Sequence, residues 1–383
     1  MASTDPPHSG SVLDTGRPDP EVTRRSGVAV VVAHPLARTV VGLALVSLAV
    51  VELGGRRAEL DAVWTRLGHL SWAWVLPAVT AEALSFVCFA LVQRHLLAAA
   101  GTQVAVAPLV GMTLATNSMA GSFPGGPAVS SVYRYRQYQR RGADPIVAAW
   151  AVVAVLVAAA ISLALFAAVG VGAAVAGRSG AGTAGLAGAL AAVVAVIAAA
   201  AALVTRPERF AEAAGFAARL VGRLTGRPAR RLEAASERFL VRARLIRLGR
   251  RRTAAVLGWA MGNWACDCAC LALAFAAVRV PVPWAGLLLA YGVGQLAAIL
   301  PITPGGLGLV EGGLAVTLVT YGGGRAAPVV AAVLVYRAVS YWLALPVGWT
   351  AWAVIAAGDR RDRRSGSSPR TAPLAPPAVG ETP

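Results

Sequence analysis

The sequence has no lysine: all 35 basic residues among its 383 are arginine. A Walker A loop needs its lysine to reach the nucleotide phosphates, and pyridoxal phosphate enzymes need a lysine for the Schiff base. Both kinds of chemistry are therefore excluded within these residues. We expect no ATP hydrolysis by the chain itself.

Charged residues are also scarce, at 14% of the chain, against about 25% in an average soluble domain. Hydrophobic residues make up 57%, in blocks that recur along nearly the whole sequence. This pattern predicts an all-α fold, a polytopic bundle of transmembrane helices. The net charge of +17 then indicates positive-inside topology and contact with anionic lipids, not nucleic acid.

Histidine and cysteine are few, with four of each. The cysteines fall inside apolar runs without a nearby histidine, which is typical of small buried side chains and not of a disulfide framework or a zinc site. The histidines lie in the tails or near segment ends, so no general base sits deep beside a serine. We expect no enzymatic activity, no cofactor and no bound metal.

Six apolar segments are long enough to cross about 30 Å of hydrocarbon. They run approximately over residues 36–53, 72–93, 146–176, 183–204, 253–278 and 328–357. They define a transmembrane domain over residues 35–358. The flanking residues 1–34 and 359–383 are rich in Pro, Ser, Asp and Arg, which predicts disordered tails on the cytoplasmic side.

Residues 205–252 form the largest polar segment, with fourteen arginines against four glutamates. The positive-inside rule places this linker in the cytoplasm. A modest apolar stripe at helical spacing leaves two interpretations open. One is an amphipathic helix lying on anionic inner-leaflet lipids, and the other is a solvated linker helix.

Two further apolar stretches, residues 104–123 and 283–303, each end in a Pro-Gly-Gly sequence, at Pro124 and Pro304. A proline followed by two glycines stops a helix. The offset of 180 between them suggests two repeats, and paired breaks of this kind mark transporter binding sites. Charge bias predicts inverted repeats, each with a re-entrant hairpin; the alternative is that both stretches span the membrane.

A half-helix begins after each Pro-Gly-Gly turn, and its free amides can bind an anionic group such as a lipid phosphate. The alternative is that each turn is a packing kink between helices and binds no ligand. Glu311 and Arg337 are deep ionisable residues close to the second turn. They either bracket a headgroup or form a structural pair that neutralises both. Asp267 either couples transport to protons or joins helices through hydrogen bonds.

The run Leu300 to Gly313, with its Pro-Gly-Gly-Leu-Gly and following glutamate, together with the Tyr-Arg pair at Arg337, resembles the lysylphosphatidylglycerol synthase transmembrane (flippase-like) family. The resemblance covers about residues 36–357. It implies a polytopic inner-membrane protein related to domains that translocate aminoacylated phospholipids. The predicted substrate site combines residues of both repeats. Those of the second repeat match the family motif, and those of the first lie in the corresponding segment: Pro304, Gly305, Gly306, Gly308, Glu311, Arg337, Pro124, Gly125, Gly126, Asn117 and Arg134.

The leading functional prediction is a lipid translocase of the cell membrane without its own ATPase. Its expected substrate is an anionic or aminoacylated phospholipid, or a polyprenyl-linked glycan. No part of the sequence resembles a soluble aminoacyltransferase domain, so we do not expect synthesis of such a lipid. The alternative is a non-transporting scaffold for cell-envelope lipid or glycan synthesis. The oligomeric state stays open.

Overall fold

A computed structural model of the chain describes residues 57–123, 125–176, 248–299 and 303–364. All regular secondary structure in these ranges is helical, which confirms the predicted fold class. Within these ranges, ten α-helices follow one another: α1 Arg57–Gly68, α2 Trp72–Ala99, α3 Val106–Ser122, α4 Gly126–Arg140, α5 Pro145–Ala176, α6 Arg250–Ala277, α7 Trp284–Ile299, α8 Leu309–Gly322, α9 Ala326–Arg337 and α10 Ala344–Arg364.

Among the described residues, four helical segments are long and apolar enough to cross a membrane: Trp72–Ala99, Pro145–Ala174, Arg250–Ala277 and Ala326–Arg361. We refer to the last of these, in which α9 and α10 are joined by a π-helical turn at Ala338–Leu343, as the last span. The other two predicted spans, residues 36–53 and 183–204, lie outside the described residues, as do most of the Arg-rich linker and residues 1–34.

Helices α2 and α6 form an antiparallel pair along their length. The N–H of Ser71 donates to the carbonyl of Ala277 at 2.9 Å, and near the middle Gly262 packs against Cys88. Small residues at such contacts allow two membrane helices to approach closely. The largest hydrophobic cluster surrounds this pair and includes buried residues of α7, α8 and α9.

The two stretches that end in Pro-Gly-Gly fold into helical hairpins. Hairpin 1 consists of α3 and α4, and hairpin 2 of α7 and α8. In hairpin 2, Gly286 packs against the backbone of Gly322, and Gly294 packs against Leu314. The helices have 14 to 17 residues, or roughly 21–26 Å at 1.5 Å per residue, less than the thickness of a hydrocarbon core.

The two hairpins approach the last span from opposite ends. The base of hairpin 1 lies beside the end of the last span, where Arg140 forms an ion pair with Asp359. The base of hairpin 2 leads through the loop after Gly322 directly into the start of α9. Both tips therefore lie against the middle of the last span. The two predicted re-entrant segments are thus helical hairpins, and their relation to a bilayer stays a prediction.

The two ends of the bundle differ in composition. Exposed tryptophans mark one end: Trp72 and Trp74 at the start of α2 and Trp284 at the start of α7. Exposed tryptophans are typical of a membrane interface. The other end, which we call the Arg-rich end, carries exposed arginines at the base of hairpin 1, the start of α6 and the end of α10. Helix α10 continues through Asp359 to Arg364, into residues that we predicted to be tail.

Candidate functional site

The tip of hairpin 2 is a tight turn between α7 and α8. Residues Pro304–Gly306 form one 3₁₀ turn, and the N–H of Gly306 donates to the carbonyl of Thr303 at 3.2 Å. The backbone φ angles are +59° at Gly305, +69° at Gly306 and +83° at Gly308. L-residues with a side chain rarely adopt such angles. The backbone conformation of this turn therefore requires glycine at these three positions.

Arg337 and Glu311 form an ion pair beneath this tip. The Nε of Arg337 donates to Oε1 of Glu311 at 2.6 Å, and one terminal nitrogen donates to the carbonyl of Gly305 at 3.0 Å. The second carboxylate oxygen of Glu311 accepts the N–H of Gly308 at 2.7 Å and thereby caps α8. The sequence left open whether Glu311 and Arg337 bracket a headgroup or pair with each other, and in the structure they form an ion pair. The N–H of Gly308, one of the amides predicted to bind an anion, is already bonded to Glu311.

Tyr341 connects this pair to hairpin 1. Its ring centroid lies 4.4 Å from the guanidinium carbon of Arg337, and its hydroxyl donates to the carbonyl of Gly121 at 3.0 Å. The same ring fills the space where a β-carbon on Gly305 would lie. The π-helical turn places Tyr341 in the middle of the last span. The tips of both hairpins therefore meet at this one side chain, and we call the meeting point the tip junction.

Comparison with known proteins adds to this geometry. Residues 36–348 match the family model described as "Lysylphosphatidylglycerol synthase TM region". The chain belongs to this family. The match includes both hairpins, the ion pair and the last span as far as Gly348, and it confirms the resemblance drawn from the Pro-Gly-Gly-Leu-Gly sequence.

One protein to which this chain is similar is a "UPF0104 membrane protein" of Methanothermobacter thermautotrophicus. The two are 40% identical over 92 residues, which make up 24% of this chain and 26% of the relative. The matched segment thus spans about a quarter of the relative's length. The family and the helices together identify an integral membrane protein.

The residues predicted from the first repeat are dispersed in this family member. Gly125, with a φ of +79°, precedes α4, and Gly126 is buried against the end of α3. Asn117 is exposed on α3. Pro124 lies outside the described residues. Within the described residues, no hydrogen bond joins Gly125, Gly126 or Asn117 to the ion pair of Arg337 and Glu311.

Arg134 is buried in hairpin 1. One terminal nitrogen donates to the hydroxyl of Thr116 at 3.1 Å, and the guanidinium lies over the ring of Phe89, 5.4 Å from its centroid. In the sequence, Arg134 is followed closely by Arg136, Arg140 and Arg141. The structure separates them, because Arg136 and Arg140 are exposed on the same helix while Arg134 faces α2 and α3.

Two polar clusters contain residues that the sequence did not assign to a site: the partners of Asp267, and Gln93 with its neighbours. Asp267 accepts hydrogen bonds from Tyr291 at 2.7 Å, Gln295 at 3.0 Å and Tyr336 at 2.8 Å. This arrangement joins α6 to α7 and α9, as the helix-joining interpretation of Asp267 requires. Among the described residues, no three His, Cys, Asp or Glu side chains are grouped as metal ligands would be.

In the second cluster, Gln93 is completely buried between helices. It donates to Thr113 at 2.7 Å and accepts the hydroxyl of Tyr138 at 2.8 Å. A glutamine inside an apolar run is itself a signal that a helix faces protein and not lipid, and Gln93 and Gln295 could have been found in this way. Their partners could not, since the bonds cross between helices.

Proposed function

We propose that this protein moves a membrane lipid with a charged headgroup across the bilayer, without ATP hydrolysis of its own and without chemical conversion of the lipid. One observation carries the proposal: the tips of two helical hairpins meet at Arg337 and Tyr341, in the middle of an apolar span. A headgroup must pass this depth on its way between leaflets.

The tip junction combines irregular backbone with charge at a depth where both are costly. Non-helical backbone is tolerated within a membrane only inside protein or beside a polar cavity. Ionisable side chains in the same region are expensive and are retained mainly for function. Broken helical segments in corresponding positions of two halves are the usual location of a transport site. Hairpins that approach from opposite ends support the inverted repeat that this interpretation requires.

The ion pair suits a headgroup that carries charge. When a phosphate approaches, the guanidinium of Arg337 can exchange the carboxylate of Glu311 for the phosphate, because both bind a guanidinium in the same geometry. Glu311 is then free to accept the ammonium group of an aminoacylated or zwitterionic headgroup. Such an exchange keeps the number of charge contacts constant, so it needs no external energy source and follows the lipid gradient.

The orientation follows from the distribution of arginine. Arg140, Arg141, Arg250, Arg251 and Arg252 are at one end of the bundle, and the other end contains Arg279 and Arg325. By the positive-inside rule the Arg-rich end faces the cytoplasm, together with both termini, in the plasma membrane. The Arg-rich linker of residues 205–252 then meets anionic lipids of the inner leaflet.

The test uses purified full-length protein in liposomes that contain a trace of fluorescent lipid. Three probes are compared: phosphatidylglycerol, an aminoacylated phosphatidylglycerol and a polyprenyl phosphate. A membrane-impermeant quencher reports how fast the label moves between leaflets. We expect accelerated movement of at least one probe, and loss of this acceleration in Gly305→Val.

The control for that variant is Gly312→Ala. Gly312 lies on α8, six residues after Gly306, and a β-carbon there meets no atom within 4 Å. It should move the probe at the wild-type rate. If wild-type protein accelerates none of the three probes, translocation is wrong and the scaffold alternative is favoured.

A further inference from the structure

Arg134 is a buried cation without a counter-charge. Its exposed fraction is 8%, and its Nε is fully enclosed without a hydrogen-bond acceptor. A guanidinium has five N–H donors and stays protonated in proteins. Only the bond to Thr116 engages one of them among the described residues. The other contact is the ring face of Phe89.

Arg337 is a second buried arginine of this fold, and it has both a counter-charge and hydrogen-bond acceptors. It is similarly buried, at 7% exposed, yet it has the carboxylate of Glu311, the carbonyl of Gly305 and the ring of Tyr341. Arg134 has a ring and one hydroxyl. A buried charge without a partner is strongly unfavourable. The comparison therefore indicates that Arg134, and not Arg337, has the capacity to bind a further anion.

The surroundings of Arg134 are polar but neutral. Thr116 gives its own hydroxyl hydrogen to the carbonyl of Met112 at 2.9 Å, which leaves its oxygen free to accept from Arg134. One turn further along α4, Tyr138 is engaged with Gln93. Towards the Arg-rich end, Asp359 is already paired with Arg140 and Gln137. No carboxylate in the described ranges contacts Arg134.

We propose that Arg134 binds one phosphate group, held by the terminal N–H groups that are not engaged with Thr116, while Thr116 positions the guanidinium. A planar guanidinium matches two phosphate oxygens at once. A phosphate supplies both the charge and the acceptors that this site lacks.

The position of Arg134 on α4 places the proposed phosphate site close to the tip junction. Thr116 precedes Gly121 by five residues on α3, or about 7.5 Å along the helix axis. The phosphate site thus lies between the tip junction and the Arg-rich end of the bundle. This part of the inference rests on the proposed function: a lipid phosphate held here would be one step from the tip junction. Binding itself is measurable without transport.

The experiment measures thermal unfolding of the full-length protein in a neutral detergent. Phosphatidylglycerol, the uncharged lipid diacylglycerol and inorganic phosphate are added separately. A ligand that binds only the folded state raises the unfolding temperature with concentration. We expect phosphatidylglycerol to raise the unfolding temperature of the wild type by several degrees more than diacylglycerol does, and native mass spectrometry to detect retained phosphatidylglycerol.

The decisive variant is Arg134→Gln, and its matched control is Arg136→Gln, which removes an exposed arginine from the same helix. Arg134→Gln should lose the extra response and the retained lipid. Without lipid it should unfold at or above the wild-type temperature, because it removes an uncompensated charge. Arg136→Gln should keep both responses. If Arg134→Gln fails to fold, Thr116→Val should weaken the apparent affinity for phosphatidylglycerol about tenfold.

The arms of the experiment separate the possible sources of the phosphate. A response to phosphatidylglycerol alone identifies a lipid headgroup, and an equal response to inorganic phosphate identifies a soluble anion; both support the site. Absence of both responses in the wild type, or an undiminished response in folded Arg134→Gln, overturns it. If binding is intact while liposome transport is absent, the proposed function fails and the phosphate site stands.

Discussion

The hydroxyl of Tyr341 donates a hydrogen bond to the carbonyl of Gly121 across 220 positions of sequence, at 3.0 Å. This bond ties the end of α3 to the middle of the last span. The ring that bears the hydroxyl also covers Arg337 and closes over Gly305. One side chain therefore contacts both hairpins and the buried ion pair, and movement of either tip changes its environment.

Tyr341→Phe should lower the free energy of unfolding by about 1 kcal/mol, the usual value of one hydrogen bond between neutral groups. The ring over Arg337 is kept, so this variant isolates the link to hairpin 1. Denaturant titration in detergent measures the change. The control is Trp342→Phe, because Trp342 is 58% exposed. Equal destabilisation of the two variants would contradict the role given to the hydroxyl.

Glu311→Gln and Arg337→Gln should each lower the free energy of unfolding by about 3 kcal/mol, because each leaves a buried charge without its partner. The double variant should be more stable than the sum of the two losses predicts. A double-mutant cycle on unfolding measures this coupling. Additive losses would show that the pair in the structure contributes no coupling energy.

The same variants also test the transport role of the pair. If the pair exchanges with a headgroup, each folded single variant should lose liposome transport at a temperature well below its unfolding transition. Wild-type transport in both folded variants would remove Arg337 and Glu311 from the site. A Glu311→Asp variant retains the charge with a shorter side chain, and it should keep more stability than Glu311→Gln.

Gly305→Ala should be strongly impaired in folding and in transport. The backbone φ of +59° disfavours a side chain, and the new β-carbon would overlap the ring of Tyr341. Yield and unfolding temperature report on folding. Gly312→Ala adds the same methyl group to an exposed helical position and should be neutral or slightly stabilising. Wild-type behaviour of Gly305→Ala would rule out the close contact between this turn and Tyr341.

Gly348→Val should disrupt the contact between α3 and α10. A β-carbon at Gly348 would overlap the hydroxyl of Ser118 and crowd the carbonyl of Leu114. Ser118 itself donates to the carbonyl of Leu345 at 3.0 Å. We expect a loss of about 2 kcal/mol or more from this overpacking. Gly358→Val is the control on the same helix, where a β-carbon meets no atom within 4 Å; similar losses at both positions would contradict the packing argument.

Topology can be tested with single cysteines in a variant whose four native cysteines are replaced by alanine. Cysteines at Arg279 and Arg325 should react with a membrane-impermeant thiol reagent added to intact cells. Cysteines at Arg140 and Arg360 should react only after permeabilisation. Labelling of Arg140→Cys from outside would reverse the proposed orientation, and labelling of all four would show that the cells had leaked.

Local sequence signals predicted the elements of the site better than their contacts. The Pro-Gly-Gly sequences correctly marked the turn of hairpin 2, since proline and glycine act through their own backbone. Glu311 and Arg337 were recognised as deep charges because they interrupt apolar runs. Whether they pair depends on how α8 packs on α9, and the sequence left that open.

The sequence placed Arg134 in the predicted substrate site, but it did not show that Arg134 is buried while its neighbours are exposed, because four arginines between positions 134 and 141 look alike in sequence. What separates them is the face of α4 that packs against α2 and α3, and this depends on contacts with residues far away along the chain. Tyr341 was not among the predicted site residues. Its bond to Gly121 joins two segments that no local pattern connects.

The π-helical turn at Ala338–Leu343 determines which way each half of the last span faces. Each residue of an α-helix turns the chain by about 100°, and a π-turn inserts an extra residue into this rotation. Upstream of it, Arg337 points to hairpin 2; downstream of it, Gly348 receives hairpin 1. Deleting one residue within the turn would rotate α10 by about 100° relative to α9. The span would stay equally hydrophobic, yet it could no longer contact both hairpins at once.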